Sequence, residues 1–173
     1  QGQRIGLWTV PASGGRAELL MPRAGFGVFS PDGTTIAFHP MGKAVDFMTW
    51  PMNVGVWLAD ADGTHVRPLI RSNGHTMAPV PWGNTRPVWS PDGLRIAYEG
   101  TRRGITDLET TMEDTHVWTM NADGSNRHEA GAAIDNRQGP PAWSADGRGL
   151  FFTVQQRGLV HLYRLAAGVA PSP

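Results

Sequence analysis

Short apolar and aromatic runs recur along this chain, each cut off by a tight polar turn. One unit reads Val28-Phe29-Ser30-Pro31-Asp32-Gly33 before Ile36-Ala37-Phe38, and returns as Val88-Trp89-Ser90-Pro91-Asp92-Gly93 before Ile96-Ala97-Tyr98. A third copy, Ala142-Trp143-Ser144-Ala145-Asp146-Gly147 before Leu150-Phe151-Phe152, has alanine in place of the proline. A second unit interleaves with the first, as Val56-Trp57-Leu58-Ala59-Asp60-Ala61-Asp62-Gly63 and Val117-Trp118-Thr119-Met120-Asn121-Ala122-Asp123-Gly124. Looser copies begin at Leu7-Trp8 and Leu162-Tyr163. Self-similarity at a fixed period marks a repeat architecture.

The turn chemistry explains the pattern. Proline presets φ at the second turn position, aspartate suits the third and glycine the fourth, so Ser-Pro-Asp-Gly reverses the chain between two short strands. The Ala-Asp-Gly units do the same one strand pair later. Each period then holds four short antiparallel strands a, b, c and d, and four strands in a period of about 40–60 residues is one blade of a β-propeller. The fold class expected is all-β, an incomplete β-propeller with three to four blades present. The predicted layout is a half blade over about 5–21, whole blades over 26–70 and 86–130, an incomplete blade over 140–165, and a tail over 166–173. A closed ring takes about four to eight blades, so the repeat count predicts a piece of a longer propeller. The opening Gln1-Gly2-Gln3 fits that expectation better than removal of a leader.

These repeats resemble the WD-like repeats of the TolB family, which also occur in the propellers of prolyl oligopeptidase-type peptidases and tricorn-like proteases. The similarity covers nearly the whole chain and is specific for fold. It implies an extracytoplasmic scaffold in the bacterial periplasm or cell envelope that binds other proteins. Fold alone does not settle activity, because one fold hosts many functions.

Composition narrows the choice further. The 22 glycines and 14 prolines leave little room for long helices. A formal net charge of zero gives no electrostatic case for nucleic acid or an anionic membrane. No apolar run approaches the roughly 18–20 residues of a membrane-spanning helix. Without cysteine there is no disulfide framework, thiolate metal site or thiol nucleophile.

Strand alternation puts the a–b and c–d turns on one face and the b–c and d–a connections on the other. The first set is short and uniform, whereas Phe38 to Val56, Tyr98 to Val117 and Arg71 to Arg86 are long. Long loops on a rigid scaffold are where binding resides, so the candidate binding residues lie there: Trp50, Trp82, His75, Arg102, Arg103, Asp107 and Glu109. Trp8, Trp57, Trp89, Trp118 and Trp143 hold repeat positions, where packing between blades accounts for them. Trp50 and Trp82 fall outside the repeat, as loop packing or as aromatic anchors for a ligand. Residues 106–114 form the one acidic cluster, read as a solvated loop or as partners for Arg102, Arg103 or a cationic ligand.

Catalytic patterns are sparse. Asp32, Asp92 and Asp146 recur with the repeat and read as turn residues, not acid–base groups. Asp60-Ala61-Asp62-Gly63 lacks the further ligands of a calcium loop. The six histidines are scattered without HExxH spacing, although His39 and His116 both flank b–c connections. Ser13 lacks the leading glycine of a GxSxG elbow. The expected function is therefore a non-catalytic interaction module, not an enzyme, with a protein or peptide partner and no cofactor or metal. The alternative is the substrate-gating propeller of a prolyl oligopeptidase-type serine peptidase whose catalytic domain lies outside this chain. A propeller fused to a metal-dependent hydrolase is a third reading.

Overall fold

The computed structural model describes residues 5–41, 55–71, 75, 86–105 and 113–166. Their strands form four antiparallel sheets. A two-stranded sheet comes first, with β1 (Gly6–Thr9) antiparallel to β2 (Glu18–Pro22). Next is a four-stranded antiparallel sheet in the order β3 (Ala24–Phe29), β4 (Thr35–Pro40), β5 (Val56–Asp60), β6 (Arg67–Ile70). The second four-stranded sheet runs β7 (Val88–Trp89), β8 (Arg95–Thr101), β9 (Thr115–Asn121), β10 (His128–Glu129). A three-stranded sheet of β11 (Ala142–Trp143), β12 (Gly149–Gln156) and β13 (Leu159–Ala166) follows. Meandering antiparallel sheets that pair only with their chain neighbours are propeller blades, and the fold is an incomplete β-propeller.

The turns show why these residues reverse the chain here. In each Ser-x-Asp-Gly unit the glycine N–H donates to the serine carbonyl: Gly33 to Ser30, Gly93 to Ser90 and Gly147 to Ser144. The serine hydroxyl donates to the aspartate at 2.5 Å in all three. The same carboxylate accepts the backbone N–H of Thr34, Leu94 or Arg148. These bonds hold Asp32, Asp92 and Asp146 below the usual carboxylate range and use them as turn locks. The c–d turns are tied to them, with Ala61 N–H on Thr34 O and Ala122 N–H on Leu94 O. Gly63 and Gly124 have φ near +83° and +84°. A Cβ at either would stand about 3.0 Å from Leu20 or Leu69 of the preceding sheet, so glycine serves both the turn and the sheet-to-sheet approach.

Three apolar clusters lie between successive sheets. Met21, Ala24, Ile36, Phe38 and Ala59 join the first two sheets. Val56, Leu58 and Ile70 meet Ile96, Tyr98 and Met120 in the middle. Ala97 and Val117 meet Leu150, Phe152 and Val154 at the last interface. A second link crosses the last two interfaces in the strand bearing the first repeat: Trp89 Nε1 donates to Val28 O at 3.2 Å, and Trp143 Nε1 donates to Val88 O at 3.1 Å. Gln138 is fully buried and stitches the last two sheets. Its side chain accepts from Val117 N–H and donates to Gly131 and Ile134 carbonyls, while its backbone bridges to Val154.

Candidate functional site

The candidate site grows from the hairpin of β8 and β9. Directly paired residues share a face of an antiparallel sheet, so the pairs Tyr98–Trp118 and Gly100–His116 set four residues on one side. Glu129 of β10 is opposite Trp118 and joins them. Arg102 leaves the end of β8 and is pinned by four hydrogen bonds. Its Nε and Nη2 donate to the two Glu129 oxygens at 2.8 Å, Nη1 donates to Asp135 at 2.5 Å, and Nη2 also donates to Ala132 O.

Glu129 is the hub of this network. Burial pushes its pKa up, but bonds from His116 and Arg102 outweigh burial and hold it below the usual range. His116 is itself buried and donates Nδ1–H to Glu129 at 3.0 Å, with Asp114 3.6 Å from its Nε2. A charge pair held by several hydrogen bonds is rigid and oriented.

Beside the network is a cavity of about 240 Å³ lined by His75, Tyr98, Gly100, Thr101, Arg102, Trp118 and Arg127. It sits at the end of β8 from which the b–c connection departs. His75 O accepts the Thr101 N–H at 2.8 Å, which anchors His75 to this rim. The Trp118 indole nitrogen is buried there without a hydrogen-bond partner. Tyr98 is pushed up to about 12 by burial, with the Arg127 charge pulling the other way.

Two buried titratable groups lie elsewhere. Glu99 is on the opposite face of β8, 6% exposed, and burial raises its pKa to about 8 against a smaller pull from Arg137. Its Oε2 has no hydrogen-bond partner. His39 in β4 donates Nδ1–H to Gly55 O at 2.6 Å, and burial lowers it to about 4, so it is neutral. His39 and His116 hold separate partners, and among the described residues no group of three His, Asp or Glu side chains is placed to hold a metal.

Of the residues singled out from sequence, His75 and Arg102 meet at the cavity. Arg103 does not: its backbone N–H donates to Asp114, and its carbonyl accepts from the Thr101 hydroxyl. Trp50, Trp82, Asp107 and Glu109 lie outside the described residues. Arg102 takes Glu129 and Asp135 as partners, from beyond β9, because antiparallel pairing brings β10 alongside its guanidinium. Sequence reasoning missed Glu129, Arg127 and Trp118 as site residues. Trp118 sits at a repeat position that inter-blade packing already explains, and nothing in Arg127-His128-Glu129 stands out in one dimension.

Comparison with known proteins gives two kinds of likeness. No family model matches the chain. Dipeptidyl-peptidase 5 of Trichophyton schoenleinii and of Arthroderma benhamiae are each 32% identical over 143 residues, covering 80% of this chain. The chain spans only 19% of the length of these relatives. Among solved structures, TolB from Acinetobacter baumannii superposes with a TM-score of 0.63 at 16% identity, over 93% of this chain and 35% of that one. A structure from an analysis of two prolyl endopeptidases gives 0.61 at 16% identity, over 91% of this chain and 24% of the other. At these identities the structural likeness shows the fold alone. The expectation of a non-enzyme, which left the full-length parent open, is corrected, because the curated relatives are named as peptidases. The peptidase propeller is the alternative that the sequence offers, and it ranks second there because the chain has no GxSxG elbow; the relatives extend far beyond the matched span.

Proposed function

We propose that this chain is part of the propeller of a prolyl oligopeptidase-type serine peptidase, where it controls which peptides reach a catalytic domain carried elsewhere in the protein. The observation that carries this is the 32% identity to dipeptidyl-peptidase 5 across 80% of the chain. The TolB likeness, at 16% identity, speaks to fold only. On this reading residues 5–165 are consecutive blades, and the end of the propeller bearing His75 and Arg102 faces the incoming peptide. The protein works outside the cytoplasm, as the TolB-like resemblance implies.

Polar groups at that end suit such a role. Arg102 is held by Glu129 and Asp135, so the rim keeps its shape without a ligand, and a preorganised rim discriminates at low entropic cost. No helix among the described residues is long and apolar enough to cross a membrane.

The test is made on the protein at its natural length. Unstructured peptides are expected to lose N-terminal dipeptides, and a serine-directed fluorophosphonate to label the protein and stop the release. Folded proteins are expected to resist. Absence of both dipeptide release and labelling would falsify the peptidase reading.

A further inference from the structure

The cavity beside β8 and β9 has the chemistry of a binding site. An indole N–H buried without an acceptor is rare in a folded protein, and Trp118 Nε1 is one. Gly100 lets the backbone come close to the indole: a Cβ there would stand 3.0 Å from Trp118 Cδ1, 3.1 Å from its Nε1 and 3.1 Å from His75 O.

The charge around the cavity favours an anion. Arg102 is tied to Glu129 and Asp135, with four of its five N–H donors in use. Arg127 lines the same space. It enters no ion pair among the described residues, and its charge acts on Tyr98. Among the described residues, one cation outside any ion pair and one unpaired N–H therefore meet beside two aromatic rings. Carboxylate oxygens satisfy both donors, and an apolar side chain next to the carboxylate fits against Tyr98 and Trp118.

We propose that this cavity binds the C-terminal carboxylate of a peptide, with Trp118 Nε1 and Arg127 as donors and the Tyr98–Trp118 pair receiving the terminal apolar side chain. The carboxylate assignment stands on the geometry; the peptide assignment rests on the peptidase reading above.

The experiment is calorimetric titration of the protein at natural length, treated beforehand with fluorophosphonate so that no probe is consumed. The probes are Gly-Gly-Phe, its C-terminal amide, and 3-phenylpropionate as a carboxylate without a peptide. The acid is expected to bind about tenfold or more tightly than the amide, since a charge-assisted bond is lost with the carboxylate. Trp118→Phe keeps the ring and removes only the N–H, and Arg127→Gln changes an exposed residue. Each is expected to weaken Gly-Gly-Phe about tenfold and leave the amide unchanged, with melting temperature as the control for folding.

Equal affinity for acid and amide, or unchanged acid binding in both variants, overturns the site. Binding of 3-phenylpropionate alone, still dependent on Trp118 and Arg127, overturns the peptide assignment while the carboxylate site stands. Dipeptide release is scored separately, so loss of the peptidase reading is distinguishable from loss of this one.

Discussion

Glu99 and His39 give the fold opposite responses to pH. Glu99 has a folded pKa raised to about 8 from 4.5, so its contribution is full below 4.5 and is lost as pH rises through about 8. His39 is lowered to about 4 from 6.5, so its contribution is full above 6.5 and is lost as pH falls through about 4. Between 4.5 and 6.5 the two slopes oppose each other; above 6.5 only Glu99 acts. Glu99→Gln keeps the neutral shape and removes the titration. It is expected to flatten the stability loss from about pH 6.5 to pH 8.5, on the order of a few kcal/mol. Thermal melts across that range are the check; a constant offset between the variant and the native chain counts against a buried neutral Glu99. Neither group was legible as buried and titratable in the sequence. Glu99 follows Ile96-Ala97-Tyr98 within β8, and only the last, three-stranded sheet arriving on its face takes it out of water.

Strands carrying the first repeat fix the distance between neighbouring sheets. Trp143 donates to Val88 O and also lies under the Arg95 guanidinium, 4.6 Å from the ring centroid. Arg95 in turn donates to Gly147 O at 2.8 Å, so one arginine grips the turn of the next sheet. Trp143→Phe keeps an aromatic ring but loses the N–H and weakens the cation–π contact. A cost of about 1–2 kcal/mol in chemical denaturation is expected, and an unchanged midpoint would mean that the indole link carries no weight. The repeat puts the tryptophans in register, which the chain itself announces. That the indoles of Trp89 and Trp143 reach Val28 O and Val88 O depends on the spacing of adjacent sheets, which no single repeat contains.

At the scale of the molecule, the first and last sheets have uncovered surfaces. Trp57 and Trp118 each pack against the preceding sheet, whereas their counterpart Trp8 is 49% exposed. At the other end β13 pairs only with β12 among the described residues. It leaves Leu159, Val160 and Leu162 62%, 64% and 73% exposed. An apolar edge strand is a template for pairing with another chain. The 173-residue chain alone is therefore expected to self-associate in light scattering. Leu162→Lys is expected to shift it toward monomer, since a charged edge resists strand addition. Indistinguishable scattering from the two chains would place the association elsewhere.

The sequence by itself determined the all-β class, the four-strand period and the turns, because these rest on local chemistry. Ser-x-Asp-Gly closes its own hydrogen bonds within a few residues, and the alternation of apolar positions follows from strand geometry. It also placed His75 and Arg102 at one end of the blades, since strand direction alone decides that. Only the tertiary structure decided that Arg102 binds Glu129 and Asp135, 27 and 33 residues away. The same holds for the unpaired Trp118 indole and the neutral Glu99. Those properties depend on which sheet faces which and on how closely they pack, and residues far apart in the chain set both.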